Sequence, residues 1–232
     1  MPLIAKATTY KGSPVVTQAH ESRGSSVKVR PGEGAMKDAT LGLRVHSGWA
    51  VAVALCGPSD SPLMIDRRRF ELVKIFTYTY RQPYHTGEKM PRKDAAKFIA
   101  GVRSEAARLA FTSLRSMQTD LAEQNCRIGR CALLLASGRA LPGLEQILAS
   151  HALIHTADGE LFRDALRVAC TRCRLPLEAV REKELFEVAS KRLSVSAVAL
   201  KRRIAAFGKS FGPPWTQDEK FAALAAWLAL AS

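Results

Sequence analysis

No apolar run in this chain reaches the length of a membrane span. The longest, Phe221 to Ala231, is about half of the roughly 20 residues that a bilayer requires. The start lacks the positive-then-apolar pattern of a secretory leader, so the sequence predicts a cytoplasmic protein with no membrane partner. Cysteine is sparse and odd in number, five in 232 residues. A chain of this size needs no disulfide staples, and free thiols in a reducing compartment are expected. Internal repeats are absent. Acid is short as well: 21 Asp and Glu stand against 35 Lys and Arg, a net charge of +14 with a pI near 10.0. A surplus of that size favours polyanionic partners, because Lys and Arg release counterions when they meet phosphate. It does not identify the anion.

What is present is one core's worth of apolar residues, 47% of the chain. Residues 1–38 are rich in Gly, Ser, Thr, Lys and Arg without periodic apolar positions, and read as a disordered basic tail. Met36 stands just before the first strand, so translation beginning there is one expectation for residues 1–35, and a phosphate-binding arm is the other. Residues 39–232 read as a single domain.

That domain opens with three strands. Leu41, Leu43 and Val45 alternate with Gly42, Arg44 and His46 over residues 40–46. Trp49 to Leu55 is apolar on both faces and should be covered on both. Leu63 to Val73 carries Arg67, Arg68 and Arg69 in its middle, which predicts an edge position or a bulge. Residues 76–90 read as loop. Helical spacing of Phe98, Ile99, Val102, Ala106, Leu109, Leu114, Met117 and Leu121 predicts a long helix over 92–124, with Lys93, Lys97, Arg108 and Arg115 on another face. The unbroken run Cys131 to Ala136 predicts a buried strand. A helix or helix pair over 143–173, a short strand at 177–180, and helices at 183–193 and 196–207 follow. Thr216 and Glu219 match a capping box opening the last helix.

The order βββαβαβα resembles the ribonuclease H-like superfamily, and its RuvC-type resolvase branch in particular, across residues 40–230. Val45-His46-Ser47-Gly48 matches the stretch where that branch ends its first strand in an apolar residue, Asp, Pro and Gly. Gly159 is similar to its mid-helix glycine, Leu175-Pro176-Leu177-Glu178 to its fifth strand, and Asp218 with Ala222-Ala223-Leu224-Ala225 to its closing helix. The resemblance implies an α/β fold, a mixed five-stranded sheet flanked by helices. It also implies a carboxylate cluster holding two divalent metals about 4 Å apart. His46 stands where the first Asp is expected, Leu135-Ala136-Ser137-Gly138 offers no Glu, and Asp218 alone remains.

Three functions follow. The first is a nucleic-acid-binding protein with a degenerate metal site, in contact through Arg67, Arg68, Arg69, Lys93, Lys97, Arg108 and Arg115. The second is a divergent nuclease or resolvase, using Mg or Mn, with His46, Glu160 and Asp218 as ligands or acid-base groups. The third is a non-catalytic interaction protein with the long helix as a partner or dimer surface. Apart from the Mg or Mn that an active nuclease would use, no cofactor and no metal ligands are expected. His151 and His155 have i, i+4 spacing, but His151 also continues the apolar stripe from Leu144, which predicts a core or hydrogen-bonded histidine. Cys170-Thr171-Arg172-Cys173 lacks the second pair that a zinc ribbon needs. Residues 186–207 can be read as helix-turn-helix, with Lys201, Arg202 and Arg203 on the second helix, although a packed pair with a solvated basic face is commoner.

Overall fold

The computed structural model describes residues 35–136 and 140–232, which fall in one compact unit. Most of the stretch read as a basic tail, residues 1–34, lies outside the described residues. Lys37 and Asp38, assigned to that tail by composition, belong to the first strand.

The meander is β1 (Lys37–His46), β2 (Trp49–Cys56) and β3 (Leu63–Glu71). Two short helices follow, α1 (Tyr78–Arg81) and α2 (Pro83–Glu88), in the stretch expected to be loop. Pro83 at the first position of α2 is the reason a Pro- and Gly-containing segment can be helical there, since a helix's first N–H has no internal partner to lose. The long helix α3 (Arg92–Glu123) leads into β4 (Cys126–Leu135). Then come α4 (Leu144–Leu148), α5 (His151–Arg172), β5 (Leu177–Arg181), a 3-10 turn at Glu182–Glu184, α6 (Leu185–Leu193), α7 (Ala197–Phe211) and α8 (Gln217–Leu230).

The strands assemble in the order β3-β2-β1-β4-β5. β2 runs antiparallel to β1 and β3, while β4 is parallel to β1 and β5 to β4. This is the mixed five-stranded α/β sheet expected of a ribonuclease H-like chain. β3 lies at the edge and its register slips at Ala54/Leu55, so both readings of its arginine-rich centre hold.

Period-two alternation divides the core between two faces. Leu41, Leu43, Val45, Ala50, Ala52 and Ala54 pack with α3 and α5. Val51, Val53, Leu55, Ala132 and Leu134 pack with α8, α6 and α7. On the second face α8 lies unusually close. A Cβ at Gly42 would fall 1.8 Å from the Ala222 carbonyl oxygen. Thr40 Oγ1 donates to the Ala226 carbonyl at 2.8 Å. The alanines of α8 permit that approach, and Trp227, fully buried, fills the remaining space with its Nε1–H on the Ser59 carbonyl at 2.7 Å. This contact fixes where the first turn of α8 meets the end of β1.

Candidate functional site

The parallel strands β1, β4 and β5 present their carboxyl ends at one side of the sheet, where open α/β sheets bind ligands. Alternation with Leu43 and Val45 puts Arg44 and His46 on the α8 face. The predicted capping box is present: Glu219 Oε2 accepts from the Thr216 N–H at 2.7 Å, and Thr216 caps the helix start. That fixes Asp218 in the first turn of α8, where the helix dipole favours an acid. β5 runs straight into the 3-10 turn that carries Glu182.

These elements converge on Arg44. Its Nε and Nη2 donate to the two oxygens of Glu182 at 3.0 and 2.7 Å, and its Nη1 donates to Asp218 Oδ1. His46 Nε2 donates to the same Asp218 oxygen at 3.0 Å, and the imidazole stacks on Trp49 with centroids 4.4 Å apart. The Phe221 ring lies 5.0 Å from the guanidinium carbon. Arg44 has only 14% of its side chain exposed. Burial opposes its charge, but the bonds to Glu182 and the charge of Asp218 outweigh that and hold the guanidinium above its ordinary pKa.

Two divalent ions do not fit this donor set. Glu182 and Asp218 are the carboxylates bonded at the cluster, and both are bonded to a guanidinium that cannot lose its proton. Hard cations require oxygen ligands, and the end of β4, Leu135-Ala136, supplies no acid.

His46 and Asp218 therefore meet, as grouped from sequence, but Glu160 does not join them. It lies on α5, on the opposite face of the sheet, buried and accepting from Arg163 at 3.0 Å and Arg167 at 3.4 Å. It lines a cavity of about 910 Å³ with Tyr84, Ile99, Arg103, Leu135 and Asp164. Arg44 and Glu182 were missed by sequence reasoning. The available signal was strand alternation, which puts Arg44 beside His46, and the place of Glu182 at the carboxyl end of β5.

The expected nucleic-acid contacts fare unequally. Arg67 donates to the carbonyls of Gly212 and Pro213 at 3.1 and 3.3 Å and to that of Pro214, so it holds the loop before α8. Arg68, pointing the other way, bridges Asp66 and Asp120 at 2.6 and 2.5 Å. Both guanidiniums thus have partners within the fold. Arg69 pairs with Glu71 and covers the Trp49 ring at 4.1 Å. Lys93, Lys97, Arg108 and Arg115 share an exposed stripe of α3, where Arg108 is paired with Glu105. Tyr78 and Tyr80 are exposed, whereas Tyr84 is buried with its hydroxyl accepting from Arg103 at 2.9 Å.

A second basic surface adjoins the Arg44 cluster. Phe186, Lys201, Ile204, Lys220 and Phe221 line a groove of about 500 Å³ among α6, α7 and α8. Lys201 lies 5.5 Å from the centre of the Phe186 ring, which meets Phe221 edge-on at 5.7 Å. Arg203 is tied to the Asp60 carbonyl at 3.2 Å, while Lys201 and Arg202 are exposed.

On the α3/α5 face His151 and His155 are within hydrogen-bond distance, Nε2 to Nε2 3.1 Å, which fits the hydrogen-bonded reading but not the core one. The helical segment breaks at 149–150, so His151 opens α5 and is exposed rather than continuing a stripe from Leu144. His155 is exposed as well, and both meet the buried His85 of α2. The carboxyl of the buried Asp158 beside them is raised by burial, opposed by hydrogen bonds from His85 and Tyr84.

No family model matches this chain, and no curated protein does. Among solved structures it is similar to Thermus thermophilus RuvC in complex with a Holliday junction substrate. That match has 9% identity and a TM-score of 0.44, over 83% of this chain and 92% of that one. A second Thermus thermophilus RuvC structure matches at 10% identity and a TM-score of 0.42, over 83% and 93%. The Ppx/GppA family member of Aquifex aeolicus matches at 10% identity and a TM-score of 0.34, over 68% of this chain and 40% of that one.

Proposed function

We propose that this protein binds nucleic acid on the α8 face and does not cleave it by a two-metal route. The observation that carries the reading is Arg44 bonded at once to Glu182 and Asp218. A guanidinium supplies there the positive charge that metal ions supply in a carboxylate-clustered nuclease. The net charge of +14 supports a polyanionic partner. The groove beside the cluster supports the location, since it combines Lys201 and Lys220, for phosphate, with the rings of Phe186 and Phe221, on which a base can stack. The exposed stripe of Lys93, Lys97, Arg108 and Arg115 on α3 is a further candidate contact on the other face.

The test is filter binding of the full chain to single-stranded, duplex and branched DNA and to RNA, across a salt series. Affinity is expected to fall steeply with salt, with a log–log slope of about 0.9 per phosphate contact on duplex. Affinity that does not change with salt overturns the reading. Lys201→Glu with Lys220→Glu should weaken binding more than Lys93→Glu with Lys97→Glu, and the reverse ranking moves the surface to α3.

One observation favours a second reading. The His46–Asp218 hydrogen bond of 3.0 Å has the geometry of an acid-base pair. A divergent nuclease using it predicts Mg- or Mn-dependent cleavage that Asp218→Asn abolishes.

A further inference from the structure

We propose that His85, His151 and His155 form a binding site for a single divalent transition-metal ion of the zinc class, with Asp158 orienting one ligand. The site lies on the α3/α5 face and is independent of the nucleic-acid reading.

The geometry builds it from two helices. His151 and His155 are one turn apart on α5, which puts both imidazoles on the same side. The neighbouring helix α2 brings His85 against them, with ring centroids 5.3 Å from His151 and 4.4 Å from His155. One ligating atom from each of the three lies within 4.8 Å of the others, and the Nε2 atoms of His151 and His155 are 3.1 Å apart. Tetrahedral zinc with bonds of about 2.0–2.1 Å holds its nitrogens about 3.3 Å apart. Small side-chain rotations reach that spacing.

Asp158 makes this more than a chance grouping of rings. It is buried, and its Oδ1 accepts from the Tyr84 N–H at 2.7 Å, which fixes the carboxylate. Its Oδ2 accepts from His85 Nδ1 at 2.5 Å. In the neutral imidazole this bond takes the Nδ1 proton, and Nε2 is then the ring nitrogen with a lone pair to offer. A metal-ligating histidine whose other nitrogen donates to a carboxylate is the recurrent arrangement that sets tautomer and ring orientation.

The donor set selects the ion. Three neutral nitrogens suit zinc, cobalt, nickel or copper, and offer nothing to magnesium or calcium, which require oxygen. Because His151 and His155 are exposed, a fourth position opens to solvent, as in three-ligand sites that bind a water or a small anion.

Cobalt(II) is the probe, added to the untagged, chelator-treated full chain and followed by visible absorption and calorimetry. One equivalent should bind with the intense bands of four-coordinate cobalt, and zinc should displace it. His151→Ala with His155→Ala changes exposed residues, so the fold should survive by circular dichroism while the bands disappear. Asp158→Asn should retain one equivalent with affinity lowered about 10- to 100-fold. Absence of cobalt binding overturns the proposal. So do bands unchanged in the double variant, because the donors would then lie elsewhere in the chain.

Discussion

The two faces of the sheet each gather a cluster of titratable side chains, and they are built on opposite principles. On the α8 face two carboxylates close on the single guanidinium of Arg44. On the α3/α5 face three imidazoles converge, and one of them, His85, is bonded to a buried carboxylate. In the first cluster both carboxylates are already bonded to a guanidinium, and the neighbouring Lys201 and Lys220 are the groups proposed to engage an outside anion. The second gathers donors whose convergence is explained by a cation.

The largest effect on this comparison comes from separating the faces at their closest contact. Gly42→Ala places a Cβ against the Ala222 carbonyl and must push α8 off β1. We expect a loss of about 3 kcal/mol or more in denaturant unfolding, with cobalt binding on the other face retained in whatever fraction folds. Next, Arg44→Ala leaves Glu182 and Asp218 without their cation. It should cost about 2 kcal/mol, less than a fully buried pair because Glu182 is partly exposed. The same variant should gain a thermal shift with manganese that the natural protein lacks. Without that gain, the arginine is not what excludes divalent ions. Lys201→Glu with Lys220→Glu should lower nucleic-acid affinity about tenfold at moderate salt, or about 1.4 kcal/mol, and reduce the salt slope.

The smallest effect lies at the edge strand. Glu178 is held below the ordinary carboxylate pKa chiefly by its bidentate bond with Arg192. A lowered pKa stabilises the fold above the unfolded-state value and loses that contribution as pH falls through the folded-state value. Glu178→Gln should thus cost at most about 1 kcal/mol at pH 7, and the difference from the natural chain should vanish in acid.

Legibility followed locality. Alternation in residues 40–55 was enough to place β1 and β2 and to show that both faces are covered. The capping box at Thr216 gave the start of α8. β4 begins at Cys126, earlier than expected, because Arg127, Gly129 and Arg130 interrupt the apolar signal where the strand is still half exposed. Arg67 and Arg68 read as surface charge, since nothing local reveals that their partners are the Gly212–Pro214 carbonyls and Asp120. Arg44–Glu182 and His85–Asp158 are pairings of the same kind, created by tertiary packing between residues far apart in the chain. Glu160 was grouped with His46 because sequence order does not say on which face of a sheet a helix lies.

The central claim is that Arg44 stands where metal charge would be required, and that what remains is binding. Labelled branched DNA incubated with the full chain in Mg2+ or in Mn2+, beside Asp218→Asn, tests it most directly. The account predicts a retarded complex with the DNA intact in every lane. Metal-dependent cleavage by the natural chain, lost in Asp218→Asn, would contradict it.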